Sequence, residues 1–206
     1  MRLTLLVGTT NQGKLVEIQR ILSGLDLDLC PLADFEQAPE VVEDGLTYRD
    51  NAIKKAQTIA AWSGQLTLAD DSGLEVAALG GEPGVHTARF GGPGLSSRER
   101  CRYLLERLRG VPDSQRQAVF RCVVVLIEPA GRMIVREGQC RGVIGHDLRG
   151  EGGFGYDPLF WLPEHGCTFA ELSSEQKDAS SHRAKALRAL IPVITMMAQG
   201  GPWPEG

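Results

Sequence analysis

The sequence has 206 residues, of which 42% are hydrophobic and 23% charged, as expected for a globular protein with a substantial core. A formal net charge of -4 gives no basic surface for duplex nucleic acid, and no apolar run approaches the roughly 20 residues that a membrane span needs. The five cysteines include no C-x-x-C pair, which predicts reduced thiols in a cytoplasmic protein. We therefore expect one soluble domain over residues 1–206 that binds neither nucleic acid nor membrane.

The amino-terminal half alternates predicted strands and helices. Residues 3–8 form a buried strand, since the apolar run LTLLV is too short for a signal peptide. Thr10 or Asn11 then caps a helix. A second helix is predicted from Thr47, its cap, to Gly64, its stop. The first helix has apolar residues at helical spacing, on one face: Leu15, Ile18, Leu22 and Leu25.

The remaining elements predict a mixed sheet. Ser96 and Glu99 form a capping box for a third helix, and the segments AVFRCVVVLI and RMIVREGQC predict two strands joined by a hairpin at EPAG. A last helix begins near 180–181, and Pro192 should kink or interrupt it. The buried face of that helix is expected to carry Ala186, Leu187, Leu190, Ile191 and Ile194. The order of elements predicts an α/β fold, with a mixed central sheet and flanking helices.

The segment GTTNQGKL resembles part of a phosphate-binding P-loop. Gly8, Gly13 and Lys14 fit G-x-x-x-x-G-K, but Leu15 stands where Ser or Thr would bind magnesium. A strand, a turn and a helix start can still hold phosphate through backbone N–H groups. Lys14 is unfavourable in the first turn of a helix unless an anion is its partner. The alternative is a capped helix with an exposed lysine.

The segment LADDSGLEV is the second candidate. Residues 66–69 predict a short strand that ends at Asp70 and Asp71 and enters a tight Ser-Gly turn. Adjacent strand residues point to opposite faces, so one acid can bind a cation while the other braces the turn. Magnesium suits one or two carboxylates plus substrate phosphate oxygens, and Glu43 is a possible further ligand. The alternative is an Asx-turn with solvated acids.

Two further segments carry aromatic and basic residues. In GGFGYDP, Phe154 can stack on a nucleotide base or can be buried under a glycine-rich loop. In KDASSHRAK, Lys177, His182 and Arg183 surround a helix start, where cations oppose the helix dipole. They favour an anionic or carbonyl-rich ligand there, with a surface basic patch as the alternative.

In this order, the segments resemble the inosine/xanthosine triphosphate pyrophosphatase family, whose members clear non-canonical purine nucleotides. The matching stretches are TTNQGK (9–14), EDGLTYRDNAIKKA (43–56), LADDSGLEVAALGGEPGVHTARFGG (68–92), GGFGYDPLF (152–160) and SSEQKDASSHRAKAL (173–187). The resemblance implies two lobes around a nucleotide cleft, a homodimer and Mg²⁺ as cofactor. The implied reaction is hydrolysis of ITP, dITP or XTP to the monophosphate and pyrophosphate.

The resemblance also implies roles for individual residues. Asp71 is the proton acceptor and, with Glu43, the metal ligand. The phosphate contacts are Thr9, Thr10, Asn11, Gln12, Gly13 and Lys14, with Lys55 as a further one. The other nucleotide contacts are Ser72, Phe154, Gly155, Tyr156, Asp157, Lys177, His182 and Arg183. The sequence departs from the family at His86-Thr87, where an aromatic residue and Ser are common, and this departure bears on the packing of the 80–94 loop.

Three other functions remain open at this stage. A septum-formation type pyrophosphatase would act on modified pyrimidines or other altered bases, and the SHR segment after GFGYDP argues against it. A nucleotide sensor would not require the water-activating carboxylate of the Asp70-Asp71 pair. A P-loop kinase or GTPase would transfer the γ-phosphoryl group or release orthophosphate. The inorganic product of the reaction separates these alternatives.

Overall fold

A computed structural model describes residues 2–204 and shows a seven-stranded mixed sheet flanked by helices. The strands are β1 (Leu3–Val7), β2 (Leu27–Pro31), β3 (Thr67–Val76), β4 (Gln117–Ile127), β5 (Met133–Ile144), β6 (Phe160–Leu162) and β7 (Cys167–Thr168). The helices are α1 (Gln12–Leu22), α2 (Tyr48–Ser63), α3 (Ser97–Arg107), α4 (Ser174–Ser180), α5 (His182–Arg188) and α6 (Ile191–Ala198). Short 3-10 helices span Leu32–Asp34, Ala77–Leu79, Gly84–Arg89, Asp113–Gln115 and Phe169–Glu171.

The strand order is β2-β1-β3-β4-β5-β6-β7. Strand β1 pairs in parallel with both β2 and β3, whereas β6 pairs antiparallel with β5 and β7. The predicted α/β class with a mixed sheet is therefore confirmed. Within residues 2–204, every helix is too short or too polar to cross a membrane.

Residue contacts divide the chain into two compact units. Unit 1 comprises the described parts of Met1–Asp71, Cys122–Gly138 and His182–Gly206, and unit 2 comprises Ser72–Arg121 and Gln139–Ser181. Three of the boundaries fall inside strands β3, β4 and β5. The predicted nucleotide cleft and the predicted single domain stay predictions.

In unit 1, the helix caps and the apolar face of α1 lie where the sequence predicts them. Asn11 caps α1, because its side chain accepts a hydrogen bond from the backbone N–H of Lys14 at 3.1 Å. Thr47 caps α2, and Gly64 ends it in the left-handed conformation at φ 65°. Residues of α1 pack into a core with strand and α5–α6 residues, among them Leu5, Val7, Leu15, Ile18, Leu22, Val124, Leu187 and Ile194.

Unit 2 has its own apolar core. The predicted capping box of Ser96 and Glu99 is present at the start of α3. Three aromatic rings pack together in this core: the ring centroids of Phe120 and Phe160 are 4.6 Å apart, and those of Phe160 and Phe169 are 4.9 Å apart. The buried residues of this core all belong to unit 2.

Two expectations change in the structure. The tight Ser-Gly turn after Asp71 is wrong, because β3 continues to Val76 and buries Leu74 and Val76 completely in the unit 2 core. The last helix is interrupted, as predicted, but the break lies before Pro192: α5 ends at Arg188, and α6 has the proline in its first turn. Helix α4, which carries Lys177, was not predicted as a separate helix.

Candidate active site

The phosphate-binding turn predicted at 9–14 joins β1 to α1 in unit 1. A Cβ atom at Gly8 would lie 2.8 Å from Cδ1 of Ile59, so any larger residue there would require the Ile59 side chain of α2 to shift. The hydroxyl of Thr9, which is buried, accepts a hydrogen bond from the backbone N–H of Asn11 at 3.2 Å. This turn places Lys14 in the first turn of α1, as predicted.

Asp70 is the centre of a buried charge cluster in unit 1. Its Oδ2 atom lies 3.1 Å from Nζ of Lys14 and 3.2 Å from Nη2 of Arg183. Burial alone would raise the pKa of Asp70, but the charges of Lys14, Arg183 and Lys55 outweigh it, and the pKa is lowered. Its Oδ1 atom has no hydrogen-bond partner within residues 2–204. Asp70 is therefore an ionised carboxylate stabilised by three neighbouring cationic side chains.

Asp71 has the opposite electrostatic environment. Burial raises the pKa of Asp71; Lys14 opposes that rise, and Glu43 adds to it. The amide of Asn51 donates a hydrogen bond from Nδ2 to Oδ2 of Asp71 at 3.0 Å. A buried carboxylate with a raised pKa and one oxygen fixed by an amide is suited to accept a proton.

Lys55 connects this cluster to Glu43. Its Nζ atom donates a hydrogen bond to the backbone carbonyl of Asp70 at 2.8 Å and forms an ion pair with Oε1 of Glu43. Burial lowers the pKa of Lys55, but Asp70, Glu43 and Asp71 together raise it above its ordinary value. The structure thus brings Lys55, Glu43, Lys14 and Asp71 together, although they come from four different elements or loops.

The oxygen donors of Asp71 and Glu43 fit a magnesium ion, which usually takes one or two carboxylates plus substrate oxygens. The pKa of Asp71 rises first through burial and partly through the neighbouring charge of Glu43, so these two carboxylates repel each other. A bound cation would relieve that repulsion. Across residues 2–204, no three His, Cys, Asp or Glu side chains converge on one metal position.

Arg183 lies deeper than the sequence predicted for a nucleotide contact. It is 1% exposed, and it donates from Nη1 to Glu17 and from Nε to Asp70 Oδ2 at 3.3 Å. His182, the first residue of α5, is also buried.

The sequence did not predict Glu17 as a site residue, although its place three residues after Lys14 on α1 was an available signal. Asn51, one helical turn before Lys55, was missed as well.

The predicted GGFGYDP site lies in unit 2, where Asp157 organises the loop. Its Oδ2 atom accepts hydrogen bonds from Nζ of Lys177 at 2.5 Å and from the backbone N–H of Phe154 at 2.8 Å. The Lys177 ammonium lies 5.1 Å from the centroid of the Phe154 ring. Gly153 has φ +70°, and a Cβ atom there would clash with Asp157, so this turn requires glycine.

Tyr156 packs inside unit 2. It is 2% exposed, and its hydroxyl donates to the backbone carbonyl of Thr87 at 3.1 Å. The Thr87 hydroxyl accepts from the backbone N–H of Leu74 at 2.8 Å and donates to the carbonyl of Gly84 at 2.7 Å. Thr87 therefore braces the 80–94 loop. Ser72, the first residue of unit 2, is half-buried in β3, and Gly155 accepts a weak hydrogen bond from Cys101.

The sequence model of the Ham1 family matches residues 5–193, which is most of the chain. This chain belongs to the Ham1 family. It is 48% identical over 193 residues to a dITP/XTP pyrophosphatase from Desulforamulus reducens, covering 94% of this chain and 96% of the relative. It is also 50% identical over 186 residues to a protein of the same name from Geobacter sulfurreducens, covering 90% of this chain and 94% of the relative.

Solved Ham1 structures share this fold. A HAM1 protein from Coxiella burnetii matches with a TM-score of 0.85 and 39% identity, covering 94% of this chain and 98% of that one. A nucleoside-triphosphatase / dITP/XTP pyrophosphatase from Mycobacterium abscessus matches with a TM-score of 0.74 and 40% identity, covering 92% of this chain and 100% of that one. The fold and the family are thus established by sequence and by structure.

Proposed function

We propose that this Ham1 family chain hydrolyses non-canonical purine nucleoside triphosphates, such as ITP, dITP and XTP, to the monophosphate and pyrophosphate. The name dITP/XTP pyrophosphatase, carried by relatives about half identical to it, supports this substrate class. The observation that carries the proposal is the unit 1 cluster, in which Lys14 and Lys55 face the carboxylates Asp70, Asp71 and Glu43. The lysines can neutralise the negative charge of a triphosphate, and a carboxylate can accept the proton of the attacking water.

The phosphates bind where cations and backbone donors coincide. The first N–H groups of α1 are available to an anion, and the helix dipole favours negative charge there. Lys14 is balanced by Asp70, yet its side chain is 14% exposed and so retains access to a ligand. Residues 9–14 and Lys55 stabilise the negative charge that accumulates on the departing pyrophosphate.

Asp71 is the proton acceptor in the proposed reaction. Water attacks the α-phosphorus, the bond from that phosphorus to the α–β bridging oxygen breaks, and the proton of the water passes to a carboxylate oxygen of Asp71. Asn51 holds the other carboxylate oxygen at 3.0 Å and so orients the base. Hydrolysis at this bond yields the nucleoside monophosphate and pyrophosphate.

Mg²⁺ is the proposed cofactor, held by Asp71 and Glu43. When bound, it would neutralise part of the triphosphate charge and polarise the phosphoryl oxygens. Glu43 is one-third exposed and paired with Lys55, so it can exchange that partner for a cation without crossing a packed core. The requirement for a divalent metal is tested by replacing Mg²⁺ with EDTA in the product assay.

The base contacts are proposed for unit 2 and for the start of α5. Phe154 offers a half-buried ring for stacking, with Lys177 and Asp157 fixing the loop around it. Ser72, Gly155 and His182 complete the proposed nucleotide contacts. Tyr156 contributes by packing, because its ring is buried and its hydroxyl is bonded to Thr87. Arg183 acts through Asp70, which it holds in place.

The deciding assay identifies the inorganic product. The purified chain is incubated with Mg²⁺ and, separately, with ITP, dITP, XTP, GTP, ATP and a pyrimidine triphosphate. We expect pyrophosphate, with the highest kcat/KM for ITP, dITP and XTP, and no turnover when EDTA replaces the metal. Orthophosphate as product, preference for a pyrimidine, or binding without turnover would contradict the proposal. We also expect a homodimer, and light scattering of the protein as it elutes from a size-exclusion column measures its mass. The expected compartment is the cytoplasm.

A further inference from the structure

A cavity of about 590 Å³ lies in unit 2 at the carboxyl end of α3. That volume is within the range of small-molecule sites, roughly 300–1,000 Å³. None of the residues that line it belongs to the proposed nucleotide site. Its polar lining consists of Arg102, Glu106, Arg109, Asp113, Arg116 and His146.

Arg116 places a buried positive charge against this cavity. It is 3% exposed, and its guanidinium donates to the carbonyls of Ile144 at 2.8 Å, Gly145 at 2.8 Å and Leu108 at 3.2 Å. These carbonyls use three of the five N–H groups of an arginine and carry no net charge. Within residues 2–204, Arg116 forms no ion pair with a carboxylate.

The electrostatic cost of this arrangement is visible at Arg116 itself. Burial lowers the pKa of its guanidinium, and the charge of Asp113 compensates only in part. A buried charge without a hydrogen-bonded counter-ion is destabilising, so an anion in the cavity would stabilise the folded protein. Arginine remains protonated in proteins, and the positive charge is therefore permanent.

The other charged groups of the lining differ in whether they have partners. Glu106 pairs with Arg109, and Asp113 lies 2.6 Å from Nε2 of His146. Arg102 is exposed and makes neither a hydrogen bond nor an ion pair with any residue in the described range. Both acids of the lining are thus paired, whereas within residues 2–204 Arg102 and Arg116 have no carboxylate in direct contact and interact with Glu99 and Asp113 only through space.

We propose that this cavity binds a phosphate-type anion, orthophosphate or pyrophosphate, through the guanidinium groups of Arg102 and Arg116. Guanidinium N–H groups form paired hydrogen bonds with tetrahedral oxyanions, and the volume admits either ion. Within residues 2–204, two N–H groups of Arg116 remain without a hydrogen bond and are available for directional contacts, and Arg102 adds a second positive charge to the lining. This site is independent of the reaction proposed above.

The test observes His146 directly. The chain contains four histidines, and the imidazole resonance missing from the spectrum of His146→Asn identifies this one. Orthophosphate and pyrophosphate are titrated separately, without divalent cations and at constant ionic strength. We expect a saturable shift of the His146 resonance with at least one of them, and the ion that saturates at lower concentration is the ligand.

Two charge-matched variants test the arginine contact. Arg102→Gln should raise the apparent Kd about three- to tenfold, since it removes a charge-assisted contact at a partly solvated position. Arg98→Gln, one helical turn earlier on α3 and also exposed, removes the same charge outside the cavity and should change the Kd less than about twofold. The proposal is overturned if neither ion shifts His146 saturably, if only His182 responds, or if the two variants have equal effects.

Discussion

The two groups of proposed site residues differ in how their charges are arranged. In unit 1, the Oδ2 atom of Asp70 forms ion pairs with both Lys14 and Arg183, within a cluster that holds several charges of each sign. In unit 2, Asp157 accepts hydrogen bonds from Lys177 and from one backbone N–H group, and these bonds order a loop. The difference suggests a division of work: unit 1 variants should change the rate for every triphosphate, and unit 2 variants should change the response to the base.

The largest effect is expected at Asp71. Asp71→Asn keeps the size of the side chain but removes the basicity that takes a proton from water, so kcat should fall about 10²- to 10⁴-fold while nucleotide still binds. Steady-state kinetics and a direct binding titration measure the two quantities. Asp147→Asn, an exposed acid in unit 2, is the control and should keep normal kcat. A near-normal kcat for Asp71→Asn would remove this residue from the reaction.

The next largest effect is on stability. Arg183→Ala leaves the buried carboxylates Asp70 and Glu17 without their shared cation, and should lower the free energy of unfolding by about 3–5 kcal/mol. Denaturant titration measures it. Arg188→Ala removes an exposed arginine from the same helix, and should cost less than about 1 kcal/mol. If the two variants were equally stable, the buried network would not stabilise unit 1.

Lys14→Ala tests the phosphate side of the comparison. Loss of one charge-assisted contact of about 1.5–3 kcal/mol corresponds to roughly a 10- to 150-fold lower kcat/KM. Because an ammonium on the phosphates does not contact the base, the loss should be similar for ITP and GTP. The ratio of the two kcat/KM values is the measurement. A strongly altered ratio would place Lys14 near the base instead.

Phe154→Ala is the counterpart in unit 2. Base–aromatic stacking is worth about 1–3 kcal/mol, so KM for ITP should rise roughly five- to 150-fold, with a smaller change in kcat at saturation. The Lys177 ammonium, 5.1 Å from this ring, loses a neighbour but keeps Asp157. Kinetics over a wide range of ITP concentration separate KM from kcat. An unchanged KM would mean that the ring serves only to pack the loop.

The smallest expected effect is a pH-dependent change in Tm when Asp71, one of the two adjacent acids of β3, is replaced. Burial raises the pKa of Asp71, with Glu43 adding to the rise, so the folded state binds this proton more tightly than the unfolded chain does. The ionised carboxylate therefore costs stability above its ordinary pKa, and the cost fades as the pH falls. Asp71→Asn should raise Tm at pH 7 by about 2–4 °C and by less near pH 4. A lower Tm at pH 7 would contradict the raised pKa.

Asp70 should respond to pH in the opposite sense. The net effect of burial and the neighbouring cations lowers the pKa of Asp70, so its stabilisation is present above its unfolded value, near 4, and is lost as the pH falls. The adjacent carboxylates of β3 therefore serve different purposes, although they share a backbone, a residue type and a buried position.

Local signals were sufficient for much of the fold. Thr47 and Ser96 were predicted as caps because a short polar side chain satisfies backbone N–H groups within one turn, and both are confirmed. For α1 the sequence left Thr10 or Asn11 open, and the structure shows Asn11. The continuation of β3 past Asp71 escaped prediction, because a Ser-Gly pair favours a turn locally. Burial of Leu74 and Val76 in the unit 2 core outweighs that preference.

The sequence by itself determined the family and the fold class, and it supplied the residues proposed to carry chemistry, because motif spacing and helix caps depend on neighbours along the chain. Only the tertiary structure decided the partners of those residues. Glu17, Asn51 and Arg183 acquire their roles from contacts across 20 to 166 positions of sequence. The opposite pKa shifts of Asp70 and Asp71 follow from burial and from charges on other elements. Electrostatic energy depends on distance and on the surrounding medium, which the order of residues does not specify.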